Sequence, residues 1–323
     1  MPNNPKISVT MSVNNGERYL REAIESILNQ SFADFEFIMV NDGSTDSSLA
    51  IMQGYHDERI RVIDNGENIG LTKSLNKAIK QARGEYIARQ DADDISLPNR
   101  FKEQIEYLGE HPEVALLGTS VYRIDEQGKV VGKILPSANP GKSLFKRNQF
   151  SHGSIMFGKV VFDRLGGYNE LFKYAQDYEL WLRIARHYKV RNLKQLLYKL
   201  RFHRESIGAA KREESLLYHL LATRMAASEP DEEILEAVRD KGLSSIYSYL
   251  NKSERAYFHK EMAGMYMSID DMAAARKQYK QAFMLNPFDV YNDANLILSH
   301  FGRSAWSGAH WIYEFIRYRL FQD

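Results

Sequence analysis

The 323-residue sequence predicts an α/β protein in which a mainly parallel sheet is covered by helices and followed by an all-α C-terminal region. Three observations carry that expectation. Over the first hundred or so residues, short apolar runs alternate with segments of helical periodicity. From about 112 to 210 paired strands and short helices take over, and beyond 211 only helical signals remain. The expected division is therefore 1–110 and 111–210 as two halves of one α/β domain, with 211–323 as a helical region.

Ile7 to Val13 is a short apolar strand, and "RYLREAIESILNQ" sets Leu20, Ala23, Ile24, Ile27 and Leu28 at helical spacing. "FEFIMV" reads as a buried strand, "STDSSLAIMQGY" as a capped helix, "RIRVID" as a strand, "LTKSLNKAIKQA" as a helix and "EYIARQ" as a strand. Single helices between strands imply right-handed crossovers and parallel pairing. In the next stretch, "VALLGTSVYRIDEQGKVVG" reads as two strands joined by a turn around Glu126 to Gly128. "SHGSIMFG" gives another strand, "VVFDRLGGY" a short helix stopped by paired glycines, "AQDYELWLRIARH" a helix, and "LLYKLRFHRESIG" a last strand running into a loop.

In the helical region, "AYFHKEMAGMYMSIDDMAAARKQYKQAFMLNP" reads as a hairpin. Ala263, Tyr266, Ala275, Tyr279, Ala282 and Pro287 fall as in a tetratricopeptide repeat, of which one copy fits. The last helix, "AWSGAHWIYEFIRYRLFQ", is apolar around most of its circumference, with a stripe of Ser307, His310, Glu314 and Arg317. That pattern suits burial in the bundle, a homo-oligomer contact, or a membrane surface.

Composition excludes some functions. Lys and Arg number 43 against 42 Asp and Glu, so nothing electrostatic favours nucleic acid. With no cysteine there is neither a disulfide framework nor a thiolate metal site, and any metal has to be held by Asp, Glu or His. "MPNNPKISVTMSV" lacks the pattern of a signal peptide, and no apolar run approaches the ~20 residues of a membrane span. The expected location is the cytoplasm, at most peripheral at the inner face of the cell membrane.

Ligands of such sheets bind beyond the carboxyl ends of the strands. Two acidic stretches fall there, "NDGSTD" after the second strand and "DADD" after the fourth. Each also suits turns and helix caps, which use the same residue types. The second stretch crowds Asp91, Asp93 and Asp94 into four positions, where like charges raise one another's pKa and call for a positive partner. Alternate residues of an extended segment turn Asp91 and Asp93 to one side.

Taken in order, "ISVTMSVNNGERYLREAIESILNQSFADFEFIMVNDGSTDSS", "NIGLTKSLNKAI", "GEYIARQDADD" and "AQDYELWLRIAR" resemble the family 2 inverting glycosyltransferases of GT-A fold, over roughly residues 5–210. The resemblance implies a Rossmann-like nucleotide-sugar-binding domain, a nucleotide-sugar donor with uridine favoured, and a glycan or lipid-linked acceptor of the surface-polysaccharide type. It implies that Asp42 accepts from the base, that Thr10 and Ser12 line the base pocket, and that Asn68 belongs to the donor site. Asn14 stands where relatives carry an aromatic residue.

By the same resemblance Asp91 reaches the ribose or the surroundings of a metal, and Asp93 binds Mn²⁺ or Mg²⁺. Such cations take a few carboxylates plus substrate phosphates. His203 approaches the metal or diphosphate, while Arg201, Arg204 and Arg89 hold phosphate oxygens, and His152 and Ser154 fall on the acceptor side. Asp177 is the general base that takes the acceptor proton. Each residue has a plainer reading as well. Thr10 and Ser12 suit any strand, a lone histidine such as His203 suits a structural role, and Asp177 suits a helix N-terminus at about 0.3–1 kcal/mol.

The Gln-x-x-Arg-Trp signature of processive synthases is missing after Asp177, which favours transfer of a single sugar. A non-catalytic nucleotide or glycan binder with a helical interaction module is the alternative, and the intact set of Asp42, Asp91, Asp93 and Asp177 argues against it. "VNNGERYL" after the first strand lacks the glycine-rich loop of nucleotidyltransferases and dinucleotide-dependent dehydrogenases.

Overall fold

A computed structural model describes residues 4–203, 212–227, 232–268 and 271–287. Two compact units form, Met1–Ala210 with Ala222–Glu229, and Lys211–Leu221 with Pro230–Asp323.

The first unit opens with β1 (Ile7–Val13), α1 (Leu20–Leu28), β2 (Phe35–Asn41), α2 (Ser48–Gln53), β3 (Ile60–Asp64), α3 (Leu71–Lys80) and β4 (Tyr86–Arg89). All three pairings among these strands are parallel: β1 with β2, β1 with β4, and β2 with β3. Ile7, Val9, Met11 and Val13 occupy one face of β1 and pack into a core with Leu20, Ala23, Ile24 and Ile27 of α1. Ser8 and Thr10, on the other face, are buried too, as expected of a strand covered on both sides.

The chain continues through β5 (Ile95–Ser96), α4 (Arg100–Glu110), β6 (Val114–Ile124), β7 (Val130–Ile134), β8 (Met156–Gly158), α5 (Lys159–Arg164), α6 (Gln176–His187) and β9 (Lys189–Arg201). The strand order is β3-β2-β1-β4-β8-β6-β9-β5, with β7 on β6. Here the pairing becomes mixed, since β8 runs antiparallel to β4 and β6 while β9 runs parallel to β6.

Two features differ from the sequence reading. The last strand begins at Lys189, directly after α6, so the segment "KVRNLKQ" extends it beyond the expected "LLYKLR". The two-residue β5 was not expected at all. It pairs Ile95 with Lys199 and Ser96 with Tyr198, which ties the acidic loop after β4 to the end of β9.

In the second unit, α8 (Glu232–Lys241) and α9 (Ile246–Tyr249) precede a hairpin of α10 (Lys252–Ser268) and α11 (Met272–Leu285), and α7 (Arg212–Ala227) is shared by both units. Ala263, Met267, Ala275 and Tyr279 form the core of that hairpin, with Tyr266 and Met272 alongside. Asp271 starts α11 by accepting from the Ala274 amide at 3.0 Å. The expected last helix, with Ser307, His310, Glu314 and Arg317, lies outside the described residues. Among the described residues no helix is long and apolar enough to cross a membrane.

Candidate active site

Because β1 lies between β2 and β4, the segments after β2 and β4 come out on either side of its carboxyl end. Asp42 follows β2 and is buried. Its Oδ1 accepts from Asn65 Nδ2 at 3.0 Å and the Ile69 amide at 2.9 Å, and its Oδ2 from the Gly70 amide at 3.0 Å. A carboxylate has about four acceptor positions, so roughly one is left for a ligand. Asn14 donates to the Asp42 carbonyl at 2.8 Å and holds the "NDG" turn in place. Gly43 has φ +64°, and a Cβ there would strike the backbone of Glu67 and Asn68, so the turn and the exposed Asn68 segment cross at a point only glycine fits. Asp46, by contrast, spends its carboxylate on the Glu17 and Ser48 amides, both at 3.0 Å, which is the turn and cap role.

Thr10 is buried, and its carbonyl accepts from the Gln90 amide at 3.1 Å, which aligns β1 with the start of the acidic loop. Its Oγ1 is buried without a hydrogen-bond partner among the described residues, while Ser12 is half-buried two residues further along.

The acidic loop is balanced largely from within. Arg89, 1% exposed, donates from Nη2 to Asp91 Oδ1 at 2.6 Å and from Nη1 to the Thr10 carbonyl at 3.2 Å. His203 Nε2 lies 2.8 Å from Asp93 Oδ2. Asp94 is buried, and its Oδ1 accepts from the Arg201 amide at 2.7 Å. Burial first, and then the Asp93 and Asp91 carboxylates, push its carboxyl well above the usual range, which favours the protonated form. Arg89 and His203 thus face the carboxylates of Asp91 and Asp93, and Asp94 is shifted toward its neutral form.

Of the three arginines expected to hold phosphate oxygens, Arg89 and Arg201 have work inside the protein. Besides the Arg89 contacts, Arg201 donates from Nε to the Asp93 carbonyl at 2.8 Å, from Nη1 to the carbonyls of Asp125 and Glu126 at 3.2 Å each, and from Nη2 to Glu22. Arg201 also stacks on Tyr19, 4.4 Å from the ring centroid, and the His203 ring packs on Tyr19 at 5.4 Å between centroids. They position the carboxylates. Arg204 lies outside the described residues.

Beneath the loop, Arg100 is fully buried, and burial lowers its pKa to about 10. It donates to the carbonyls of Arg89 (2.8 Å) and Ile155 (3.0 Å), to Ser96 Oγ (2.8 Å) and to Gln104 Oε1 (3.1 Å). Gln90 carries the contact upward, donating to the carbonyls of Asp91 at 3.0 Å and Asp94 at 2.9 Å.

Asp177 sits half-buried in the first turn of α6, which is entered through Ala175 in the left-handed region at φ 54°. Asn148 Nδ2 donates to Asp177 Oδ2 at 3.0 Å. The approach to α6 is fastened to α3: Asn76 Oδ1 accepts from the Tyr168 amide at 3.0 Å, and Thr72 Oγ1 donates to the Phe172 carbonyl at 2.8 Å. Of the two acceptor-side residues expected, Ser154 is buried and donates to the Ser151 carbonyl at 2.9 Å, a purely local bond. His152 is half-buried, with Nε2 2.9 Å from the Tyr168 hydroxyl. Sequence reasoning missed Arg100, Gln90, Tyr198 and Asn148. None of these types has a chemical signature outside a known fold.

The donor set suits a hard divalent cation. Asp91 and Asp93 keep side-chain exposures of 28% and 34%, and the Asp93–His203 pair puts a carboxylate oxygen and an imidazole nitrogen side by side. Among the described residues no group of three such ligands is already closed, so phosphate and water oxygens would have to complete the shell.

A parallel nucleotide-type sheet with buried Asp42 on one side of the β1 end and a D-x-D loop on the other defines the class: a glycosyltransferase of GT-A fold. Residues 8–167 match the family model "Glycosyl transferase family 2". EpsE of Bacillus subtilis (strain 168) is 39% identical over 207 residues, spanning 62% of this chain and 74% of that protein. The O-antigen biosynthesis glycosyltransferase WbnJ of Escherichia coli is 33% identical over 210 residues, 62% of this chain and 81% of that one. Among solved structures, S. aureus TarS 1-349 in complex with UDP-GlcNAc superposes with a TM-score of 0.60 at 17% identity, over 94% of this chain and 91% of that one. The chain belongs to glycosyltransferase family 2.

Proposed function

We propose that this glycosyltransferase moves one sugar, with inversion, from a uridine diphosphate sugar to a hydroxyl of a glycan or lipid-linked acceptor in surface-polysaccharide assembly. Asp177 is the general base. The uridine preference is supported by the acceptor position left on Asp42 and by the nucleotide named for TarS, and the acceptor class by the name of WbnJ.

The observation that carries the reading is that the His152–Gly153 turn lies against Asp91 of the donor loop at Gly153 and packs its His152 ring on Trp181, one helical turn from Asp177, so the base and the donor loop are joined through one short turn. There the acceptor oxygen forms a bond to the anomeric carbon as the bond to the diphosphate oxygen breaks. The acceptor proton passes to the Asp177 carboxylate, which Asn148 keeps oriented, and the nucleoside diphosphate departs with the electron pair. Asp93 and His203, with Asp91 nearby, would hold Mn²⁺ or Mg²⁺, whose charge offsets that of the leaving diphosphate. Arg89 and Arg201 hold the carboxylates of that loop in position. Nothing in the relatives favours a non-catalytic binder.

Asp177→Asn tests this directly. Sugar transfer should fall by about 10³-fold or more, while calorimetric affinity for the nucleotide sugar stays within about twofold. Asp93→Ala should instead weaken metal-dependent donor binding. Full activity in Asp177→Asn, or unchanged metal-dependent binding in Asp93→Ala, would remove those assignments.

A further inference from the structure

His152 lies on a turn that joins the two sides of the site. Its neighbour Gly153 is so close to the donor loop that a Cβ there would come within 2.7 Å of Asp91 Oδ2 and would strike the Tyr198 hydroxyl. The His152 ring packs edge-on against Trp181 of α6 at 6.0 Å between centroids, one turn along from Asp177. It thus touches the helix that carries the base while its own backbone lies against the D-x-D loop.

The surroundings of the ring favour its neutral form and one tautomer. Burial, with Arg89, lowers its pKa to about 4, and burial raises that of Tyr168, so both are neutral near pH 7. The Tyr168 hydroxyl has one hydrogen-bond partner among the described residues, His152 Nε2 at 2.9 Å. A buried hydroxyl gives its proton to such an acceptor, so Nε2 accepts and Nδ1 carries the hydrogen. No hydrogen bond to Nδ1 is made among the described residues, and His152 as a residue keeps partial exposure, which leaves the ring edge open to a ligand. A donor so fixed needs an acceptor oxygen.

We propose that His152 is a donor-sugar recognition residue, its Nδ1–H bonding an oxygen of the transferred sugar between Asp91 and Asp177, with Tyr168 as its positioning residue. The inference rests on the donor reading above. It makes His152 a contact to the sugar and not to the nucleotide, and that difference is measurable.

The test compares calorimetric affinities for UDP and for UDP-glucose, UDP-galactose and UDP-N-acetylglucosamine, with Mn²⁺ present, in the full chain and in His152→Gln, His152→Asn and Tyr168→Phe. Asn places an amide N–H near the position of Nδ1, and Gln near that of Nε2. His152→Gln should lose about tenfold or more in affinity for the preferred nucleotide sugar while UDP binding stays within about twofold. His152→Asn should recover most of that loss, and Tyr168→Phe should show a smaller loss in the same direction. Equal weakening of UDP and UDP-sugar, or no weakening of either, or Gln outperforming Asn, would overturn the assignment. If the unaltered chain binds UDP but discriminates none of the sugars, the sugar contact falls while the nucleotide reading stands. If it binds no nucleotide at all, the donor reading falls first and this inference with it.

Discussion

Glu36 shows what a single buried charge does in this fold. Burial by itself would raise its pKa, but hydrogen bonds from Ser8 Oγ at 2.7 Å, the Arg83 amide at 2.7 Å, the Arg83 Nε at 3.0 Å and Arg61 Nη1 at 3.1 Å outweigh it and hold the carboxyl below its ordinary 4.5. A depressed pKa stabilises the fold above the unfolded-state value, and that contribution is lost as pH falls through the folded value. Denaturant midpoints measured from pH 7 downward should therefore fall more steeply below about pH 4.5 in the parent than in Glu36→Gln. Glu36→Ala, which strips the carboxylate from two arginines, should cost about 3 kcal/mol at pH 7. At this scale the sequence told only part of the story. Asp42, Asp91 and Asp93 stood out because two acidic stretches fall on the same edge of one sheet and match the ordered motifs of the family. Glu36 drew no notice within the buried strand "FEFIMV", and its partners come from β1, β3 and the turn after α3.

At the scale of elements, the loop after β4 is shaped by a buried cation that has no carboxylate in direct contact among the described residues. Arg100 donates to acceptors on β4, β5, α4 and the turn before β8, and Gln90 passes that rigidity to the carbonyls of Asp91 and Asp94. Arg100→Met removes the charge together with its bonds and leaves several buried carbonyls and hydroxyls unpaired. We expect a loss of about 3–5 kcal/mol in stability, with Arg100→Lys intermediate, measured by denaturant unfolding. In the folded fraction at low temperature, donor affinity should fall as well, because the loop carbonyls lose their support. Unchanged stability in Arg100→Met would contradict this account of the loop.

Nothing in "LPNRFKEQIEYL" marks Arg100 as different from any solvated helix arginine. Its burial follows from β5, a two-residue strand too short to show periodicity, which folds the acidic loop back onto β9. The α/β alternation, by contrast, was legible throughout β1 to β4, most plainly in β1 and β2, where both-sided burial leaves near-continuous apolar runs. Asp177 was legible only through the order of the motifs. Asn148, which orients it, comes from a stretch with no regular pattern.

At the scale of the molecule, family membership covers the part of the chain that holds the proposed donor loop, since the family model ends at residue 167, before Asp177 on α6. The two compact units divide the chain so that every residue assigned a chemical role falls in the first. The proposed activity is therefore a property of the α/β unit, and metal removal should abolish donor binding without unfolding it, because the loop is held from within by Arg89 on Asp91, by the Arg201 amide on Asp94 and by Gln90 on the loop carbonyls. Calorimetric titration of the purified chain with uridine, guanosine, adenosine, cytidine and thymidine diphosphates and their sugars, in Mn²⁺ and then in EDTA, tests the central claim most directly. The account predicts binding selective for the uridine series and lost with EDTA. Binding that ignores EDTA, favours another base, or is missing in every condition would contradict it.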